Sequence, residues 1–258
     1  MDPSRYIDID NLTKDFGKIR ALNGVTLNIK QGETFGIVGP NGAGKTTLVR
    51  ILSGLLSPSS GRAAVGGFDV ISARREVKRI TGLLPERPGT YEDLTAREFL
   101  QFIAELYNVP RKQIKKRTEQ LLKLFDLSDR GNDLIAGYSA GMRQRLMLAS
   151  TIVHDPPVLF LDEPTSSLDP AAARMVKDLI DQLAEEAGRT IFISSHQLPL
   201  IEEVSDRIAI LHEGNLMAHG TLNDLLSKTG TQKLEDAFFK VTGLKKRQAE
   251  VLLSWRGE

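Results

Sequence analysis

The run Gly39-Pro40-Asn41-Gly42-Ala43-Gly44-Lys45-Thr46-Thr47 fits the spacing G-x-x-x-x-G-K-[ST]. In that pattern backbone N–H groups surround a β-phosphate, the lysine neutralises β- and γ-oxygens, and the following hydroxyl holds Mg²⁺. The competing reading, a glycine-rich turn with a solvent-facing lysine, is disfavoured by the apolar strand before the run and the helical pattern after it. A nucleoside triphosphate is the expected ligand. A second acidic centre closes the apolar stretch VLFL, where Asp162 and Glu163 stand side by side. Asp162 is expected to hold Mg²⁺ through its water shell. Glu163, not turned to the metal, is then free to take a proton from the attacking water. The alternative for this pair is an acidic cluster favouring the dipole of the next helix. His196 follows TIFISS at the end of another buried strand, where parallel sheets gather their ligands, so its ring N–H is a candidate donor to the γ-phosphate. A purely structural histidine is the alternative. In YSAGMRQR, residues 138–145, Ser139 and Gly141 sit at the mouth of a further helix, a place that also suits an anion.

These residues need a frame that brings them together. Val25, Leu27 and Ile29 alternate with polar residues, Gln31-Gly32 reads as a turn, and TFGIV as a buried strand running straight into the glycine loop. The helix after the loop is expected to run through TTLVRILSGLL, and Pro58 and Gly61 close the unit. Near Leu94 the pattern becomes helical. Thr95 and Glu98 form a capping box, and Phe99, Phe102, Ile103 and Leu106 recur at helical spacing. A second helix carries Ile114, Leu121, Leu122 and Phe125, and a third, after Ser139, carries Leu146, Ala149, Ile152 and Val153. Beyond them VLFL and TIFISS read as buried strands. A helix opened by Asp169-Pro170 and closed by Gly188 lies between them. RIAIL and NLMAHG flank a hairpin turn at residues 212–215, and the tail from Gln232 is helical in pattern with a loosely held end, SWRGE. The expected fold is α/β: a phosphate-loop (RecA-like) nucleotide-binding core with an N-terminal antiparallel β subdomain and an inserted α-helical subdomain. The expected units are 1–86 for the β subdomain and first part of the core, 87–155 for the helical subdomain, 156–230 for the rest of the core and 231–258 for a helical tail.

Composition narrows the classes. With 34 Lys and Arg against 33 Asp and Glu, the chain carries a net charge of +1 and no global bias toward nucleic acid or an anionic membrane. The basic run RKQIKKR at 111–117 reads as a solvated helix face. The absence of cysteine excludes disulfides, thiolate metal sites and thiol nucleophiles, and fits a cytosolic address. No apolar run approaches the ~20 residues of a spanning helix, and the alternating, acidic MDPSRYIDID is unlike a signal peptide, so a soluble protein is expected.

Taken in order, GPNGAGKTT, LLPE at 83–86, YSAGMRQR, VLFLDEPTSSLD and ISSH at 193–196 resemble the nucleotide-binding subunit of ATP-binding cassette (ABC) transporters from about Asp8 to Gly220. The resemblance implies an ATPase with ATP and Mg²⁺ as cofactors, and a homodimer, or a pair with a related cassette, clasping two nucleotides head to tail. Ser139 and the N–H of Gly141 would then bind the γ-phosphate of the partner's ATP, which gives the second helix mouth a purpose. It also implies Phe16 stacking on adenine, with a core side chain as the alternative, and Glu86 contributing an oxygen to Mg²⁺ and catalysis where many members have glutamine. Met142 and Ser167 depart from the family's usual polar residue and glycine. LPE, GTYEDLTARE and LEDAFFKVTG at 234–243 look like the branch that powers small exporters. The implied partners are integral-membrane permease subunits and no nucleic acid, and the implied location is peripheral, on the cytoplasmic face of the membrane. Coupling to the permease would fall near Tyr91 and Leu94, or else these residues cap the subdomain core. A soluble cassette ATPase acting on ribosomes or DNA, and a small-molecule kinase, are the rival classes; the kinase leaves YSAGMRQR and His196 without roles.

Overall fold

The computed structural model describes residues 6–86, 89, 91–185 and 187–244. It opens with β1 (Ile7–Phe16) and β2 (Ile19–Ile29), paired antiparallel, then β3 (Thr34–Val38) and α1 (Lys45–Leu52). There follow β4 (Ser60–Val65), β5 (Phe68–Asp69), α2 (Arg74–Ile80) and β6 (Thr81–Leu84). Three helices come next: α3 (Ala96–Leu106), α4 (Arg111–Leu124) and α5 (Ala140–Ile152). The chain then alternates through β7 (Val158–Asp162), α6 (Pro170–Glu185), β8 (Thr190–Ser195), α7 (Leu198–Val204) and β9 (Arg207–His212). It finishes with β10 (Asn215–Gly220), α8 (Leu222–Thr229) and α9 (Leu234–Thr242).

The strands make two sheets. One is antiparallel with order β2-β1-β4-β5; the other has order β10-β9-β3-β8-β7-β6 and is parallel except for β10. The expected alternation in β2 holds, with Val25, Leu27 and Ile29 buried and Thr26 exposed. The central strands read as unbroken apolar runs because both faces are covered. Val158 and Phe160 of β7 join the core shared with the antiparallel sheet, while Leu159 and Leu161 join the core beneath the helices. Parallel strands carry their carboxyl ends to one edge, and there β3, β6, β7 and β8 deliver the phosphate loop, Glu86, the acidic pair and His196.

Two expectations about helices are corrected. The helix after the phosphate loop stops at Leu52 instead of running through Leu56. Gly54, at φ 70°, takes the left-handed C-terminal position, with Gly54 N–H bonded to Ile51 O at 3.0 Å and Leu55 N–H to Arg50 O at 2.9 Å. On α3 the inward face is Ala96, Phe99, Leu100 and Ala104, while Phe102 and Leu106 are 41% and 63% exposed. The stripe is rotated so that Leu100 and Ala104, one helical turn apart, join the core that α4 and α5 also line. The capping box forms as read: Thr95 Oγ1 accepts from Glu98 N at 3.2 Å, and Glu98 Oε2 accepts from Thr95 N at 2.9 Å. The basic run lies at the start of α4 with Ile114 buried beneath exposed Arg111, Lys112, Lys115 and Lys116. Arg87, the expected start of the helical subdomain, and the tail end SWRGE lie outside the described residues, as do residues 1–5.

Candidate active site

The phosphate loop is shaped by close backbone approach. A Cβ on Gly44, at φ 105°, would lie 2.4 Å from Ala21 O, and one on Gly39 would lie 2.3 Å from Leu211 O. The β9–β10 turn braces the loop: Gly214 N–H donates to Ala43 O at 3.0 Å. Helix α1 starts at Lys45 with no side-chain cap and no acidic residue in its first turn, so its first amides remain available to an anion. Lys45 is buried, and its Nζ donates to Gly39 O at 2.6 Å and Pro40 O at 3.2 Å. Burial pulls its pKa below the usual lysine range, opposed by the negative charges of Glu163, Asp162 and Glu86.

The acidic pair is sorted by the neighbouring strand. β7 and β8 are parallel with Asp162 opposite Ser194, and the Ser194 hydroxyl donates to Asp162 Oδ1. Asp162 Oδ2 is buried without a partner among the described residues. Burial pushes the carboxyl's pKa up, against the Ser194 hydroxyl that donates to it and the lowering influence of the nearby Thr46 hydroxyl. An orphaned carboxylate oxygen beside the Thr46 hydroxyl, with Glu86 close by, is an oxygen donor set that fits Mg²⁺. Among the described residues no three acidic or histidine side chains form a dedicated cage. Mg²⁺ needs none, because substrate phosphates and water complete its shell.

Glu163 turns the other way. Its backbone adopts φ 53°, its N–H donates to Ser194 O at 2.8 Å, and its carbonyl accepts from Ser166 N at 3.1 Å. The buried carboxylate accepts from Ser195 Oγ, His196 N and His196 Nδ1, each at 2.8 Å. Nδ1 is engaged by Glu163, and Nε2 is the ring atom left for a ligand.

Residues 41–47, Glu86, Asp162, Glu163 and His196 line one cavity of about 630 Å³, with Ser166 and Ser167 on its rim. Gly39 and Pro40 act beneath it through their carbonyls. Phe16 does not line it. The ring stands at the end of β1, 47% exposed, with Lys14 Nζ 5.0 Å from its centroid, so the core alternative fails. Ala21, on the paired strand, does reach the cavity. Ser139 and Gly141 also lie outside it. Ser139 Oγ accepts from Met142 N at 3.2 Å and so caps its own helix, while the first amides of α5 stay available. Of the departures, Met142 packs against the helical core, while Ser167 sits at φ 65°, a left-handed position that favours glycine, and nothing in the structure explains the serine there. Sequence reasoning missed Ser194, Ser195 and Gln144. Gln144 Nε2 reaches from α5 to the carbonyls of Glu163 and Pro164 at 3.4 and 3.2 Å. Two serines ending an apolar buried strand were the available signal, since buried hydroxyls need partners.

Known proteins resemble this chain in sequence and in fold. The family model described as "ABC transporter" matches residues 22–166. The daunorubicin resistance ATP-binding protein DrrA3 of Streptomyces coeruleorubidus is 38% identical over 229 residues, covering 89% of this chain and 72% of that one. The bacitracin transport ATP-binding protein BcrA of Bacillus licheniformis is 39% identical over 214 residues, covering 83% and 69%. Among solved structures, an ATP-binding subunit of an ABC transporter superposes with TM-score 0.86 at 29% identity, covering 92% of this chain and 99% of that one. A dimeric post-hydrolysis state of the cassette MJ0796 bound to ADP and Pi superposes with TM-score 0.78 at 27% identity, covering 84% and 98%. The phosphate loop, the sorted acidic pair and the helical subdomain thus sit on a frame these proteins share, and the chain belongs to the ABC transporter family as an ATP-binding subunit with an ABC ATPase domain.

Proposed function

We propose that two copies of this chain, or one copy and a related cassette, close head to tail over two ATP molecules and drive a membrane exporter. The observation that carries this reading is the separation of two anion-binding mouths: α1 opens into the cavity of Lys45, Asp162 and Glu163, whereas α5 opens outside it. Ser139 and Gly141 are absent from the lining of that cavity, and on this reading their mouth meets the nucleotide of the opposite copy. Phe16, exposed on the hairpin that also supplies Ala21, stacks on the adenine. Lys45 exchanges the carbonyls of Gly39 and Pro40 for phosphate oxygens. Thr46, Asp162 and Glu86 would hold Mg²⁺, which would supply positive charge to the phosphates. Glu163 accepts the proton of the attacking water, and His196, its Nδ1 proton committed to Glu163, faces the γ-phosphate with Nε2, which donates there only when that nitrogen carries a proton too. The units proposed for this work are 1–86, 87–155, 156–230 and 231–258.

The exporter reading is supported by relatives named for daunorubicin resistance and bacitracin transport. No helix among the described residues is long and apolar enough to cross a membrane. On this reading the membrane passage is built by permease subunits, as the relatives' names as ATP-binding proteins for resistance and transport suggest, with this chain held against the cytoplasmic face. The permease docking surface is the exposed aromatic edge of the helical subdomain. There Tyr91 is 55% exposed and packs on Phe102 at 5.5 Å between ring centroids. Leu94, by contrast, packs against the subdomain core.

Glu163→Gln tests the reading. The amide keeps hydrogen bonding but cannot take a proton, so ATP should bind, hydrolysis should fall by roughly 10²-fold or more, and an ATP-dependent dimer should accumulate. Size-exclusion chromatography with light scattering reads the dimer. A variant that stays monomeric at saturating ATP overturns the two-copy site.

A further inference from the structure

Each oxygen of the Glu163 carboxylate has two lone pairs to offer. Oε1 is saturated, because the backbone N–H and ring Nδ1 of His196 both point at it at 2.8 Å. A carboxylate accepts only, so at this distance Nδ1 carries the proton. Oε2 accepts from a single group among the described residues, the Ser195 hydroxyl at 2.8 Å, and keeps one lone pair open. The serine has no freedom in this bond. Its oxygen accepts from Gln197 N–H at 3.0 Å, and its only hydrogen is committed to Glu163. Ser195 is fully buried, so no solvent molecule substitutes for the hydroxyl. Successive residues of β8 face opposite ways, and Ser194 in the same manner holds Asp162 Oδ1.

We infer that Ser195 is a positioning residue for hydrolysis: it fixes Glu163 so that the open lone pair of Oε2 receives the proton of the attacking water. The inference rests on Glu163 as the base. In the step, the water O–H bond breaks and its proton goes to Oε2. Its electron pair stays on oxygen to form the new P–O bond, and the bridging P–O bond breaks with its pair leaving on ADP. Without the Ser195 hydroxyl the carboxylate pivots about the two bonds that hold Oε1, and the accepting lone pair swings off the line of attack.

The test compares Ser195→Ala, Ser195→Thr and Ser195→Cys in the full chain, measuring ATP affinity and steady-state hydrolysis. Ser195→Ala should lower kcat roughly 10- to 100-fold, with KM and ATP affinity within about twofold of the parent. Ser195→Thr, which keeps the hydroxyl, should recover most of the rate. Ser195→Cys, close in size but a weak donor, should fall with the alanine variant and covers the case in which alanine loosens the strand. Added to Glu163→Gln, Ser195→Ala should cause no further loss. Parent-like kcat in the alanine or cysteine variant overturns the inference, as does a full additional loss in the Glu163→Gln background. If Glu163→Gln itself hydrolyses ATP at the parent rate, the base assignment falls. If Glu163→Gln is inactive and Ser195→Ala is not, only the role of Ser195 falls.

Discussion

Asp162 shows at the level of one side chain how this site stores function at the expense of stability. Its carboxylate is buried beside Glu163 and Glu86, and burial raises its pKa above the ordinary aspartate value near 3.9. Between the ordinary and the raised value the folded state binds the proton more tightly, so this carboxyl makes stability fall as pH rises through that window and leaves the full cost at neutral pH. Asp162→Asn should therefore raise the Tm of the nucleotide-free protein by about 2–4 °C, on the order of 1 kcal/mol, while Mg²⁺-dependent hydrolysis is lost. Thermal melting at pH 7 and pH 4 checks the sign, since the gain should shrink at the lower pH. A variant less stable at pH 7 would mean that the charge of Asp162 is matched by Lys45 instead of standing as a burden.

Elements position these groups by their ends. Helix α3 carries Phe99, Leu100 and Ala104 into the helical core, and its first turn depends on Thr95 and Glu98 satisfying each other's backbone groups. Thr95→Ala should cost about 1 kcal/mol, read as a Tm lowered by roughly 2–4 °C, with ATP affinity kept. The capping box and the core positions of α4 were legible because capping and period 3.6 are local chemistry. The rotation of α3 was not, because Phe102 and Leu106 have the same apolar character as the residues that replaced them inside. The pairing of β6 beside β7 was equally hidden, since a four-residue edge strand has too few residues to display a period.

At the scale of the molecule, the aromatic edge of Tyr91 and Phe102 lies at α3, whereas the cavity of Lys45, Asp162 and Glu163 lies at the carboxyl ends of the parallel strands; under the proposed function this is the arrangement expected of a motor that passes a conformational change to a partner. Phe102→Asp places a charge on this edge without touching the core beneath it. The variant should fold and bind ATP as the parent does, yet its recovery with a polytopic membrane partner after mild detergent extraction should fall at least about tenfold, as loss of a central aromatic anchor does. Undiminished recovery would move the docking surface elsewhere. Recovery with ribosomes or DNA in place of a membrane protein would overturn the transport reading.

The residue types and spacings alone determined the ligand class, the phosphate loop, the acidic pair and the order of the helices, because each depends on neighbours within a few positions along the chain. Which oxygen of Glu163 is free, why Asp162 leaves Oδ2 open, and why Ser139 stands apart from Lys45 were decided only by the tertiary structure. Those answers come from β8 lying in register against β7 and from the start of α5 lying outside the lining of the cavity that α1 enters. Such contacts join residues about thirty or more positions apart, and no local pattern in the chain encodes the direction of a lone pair.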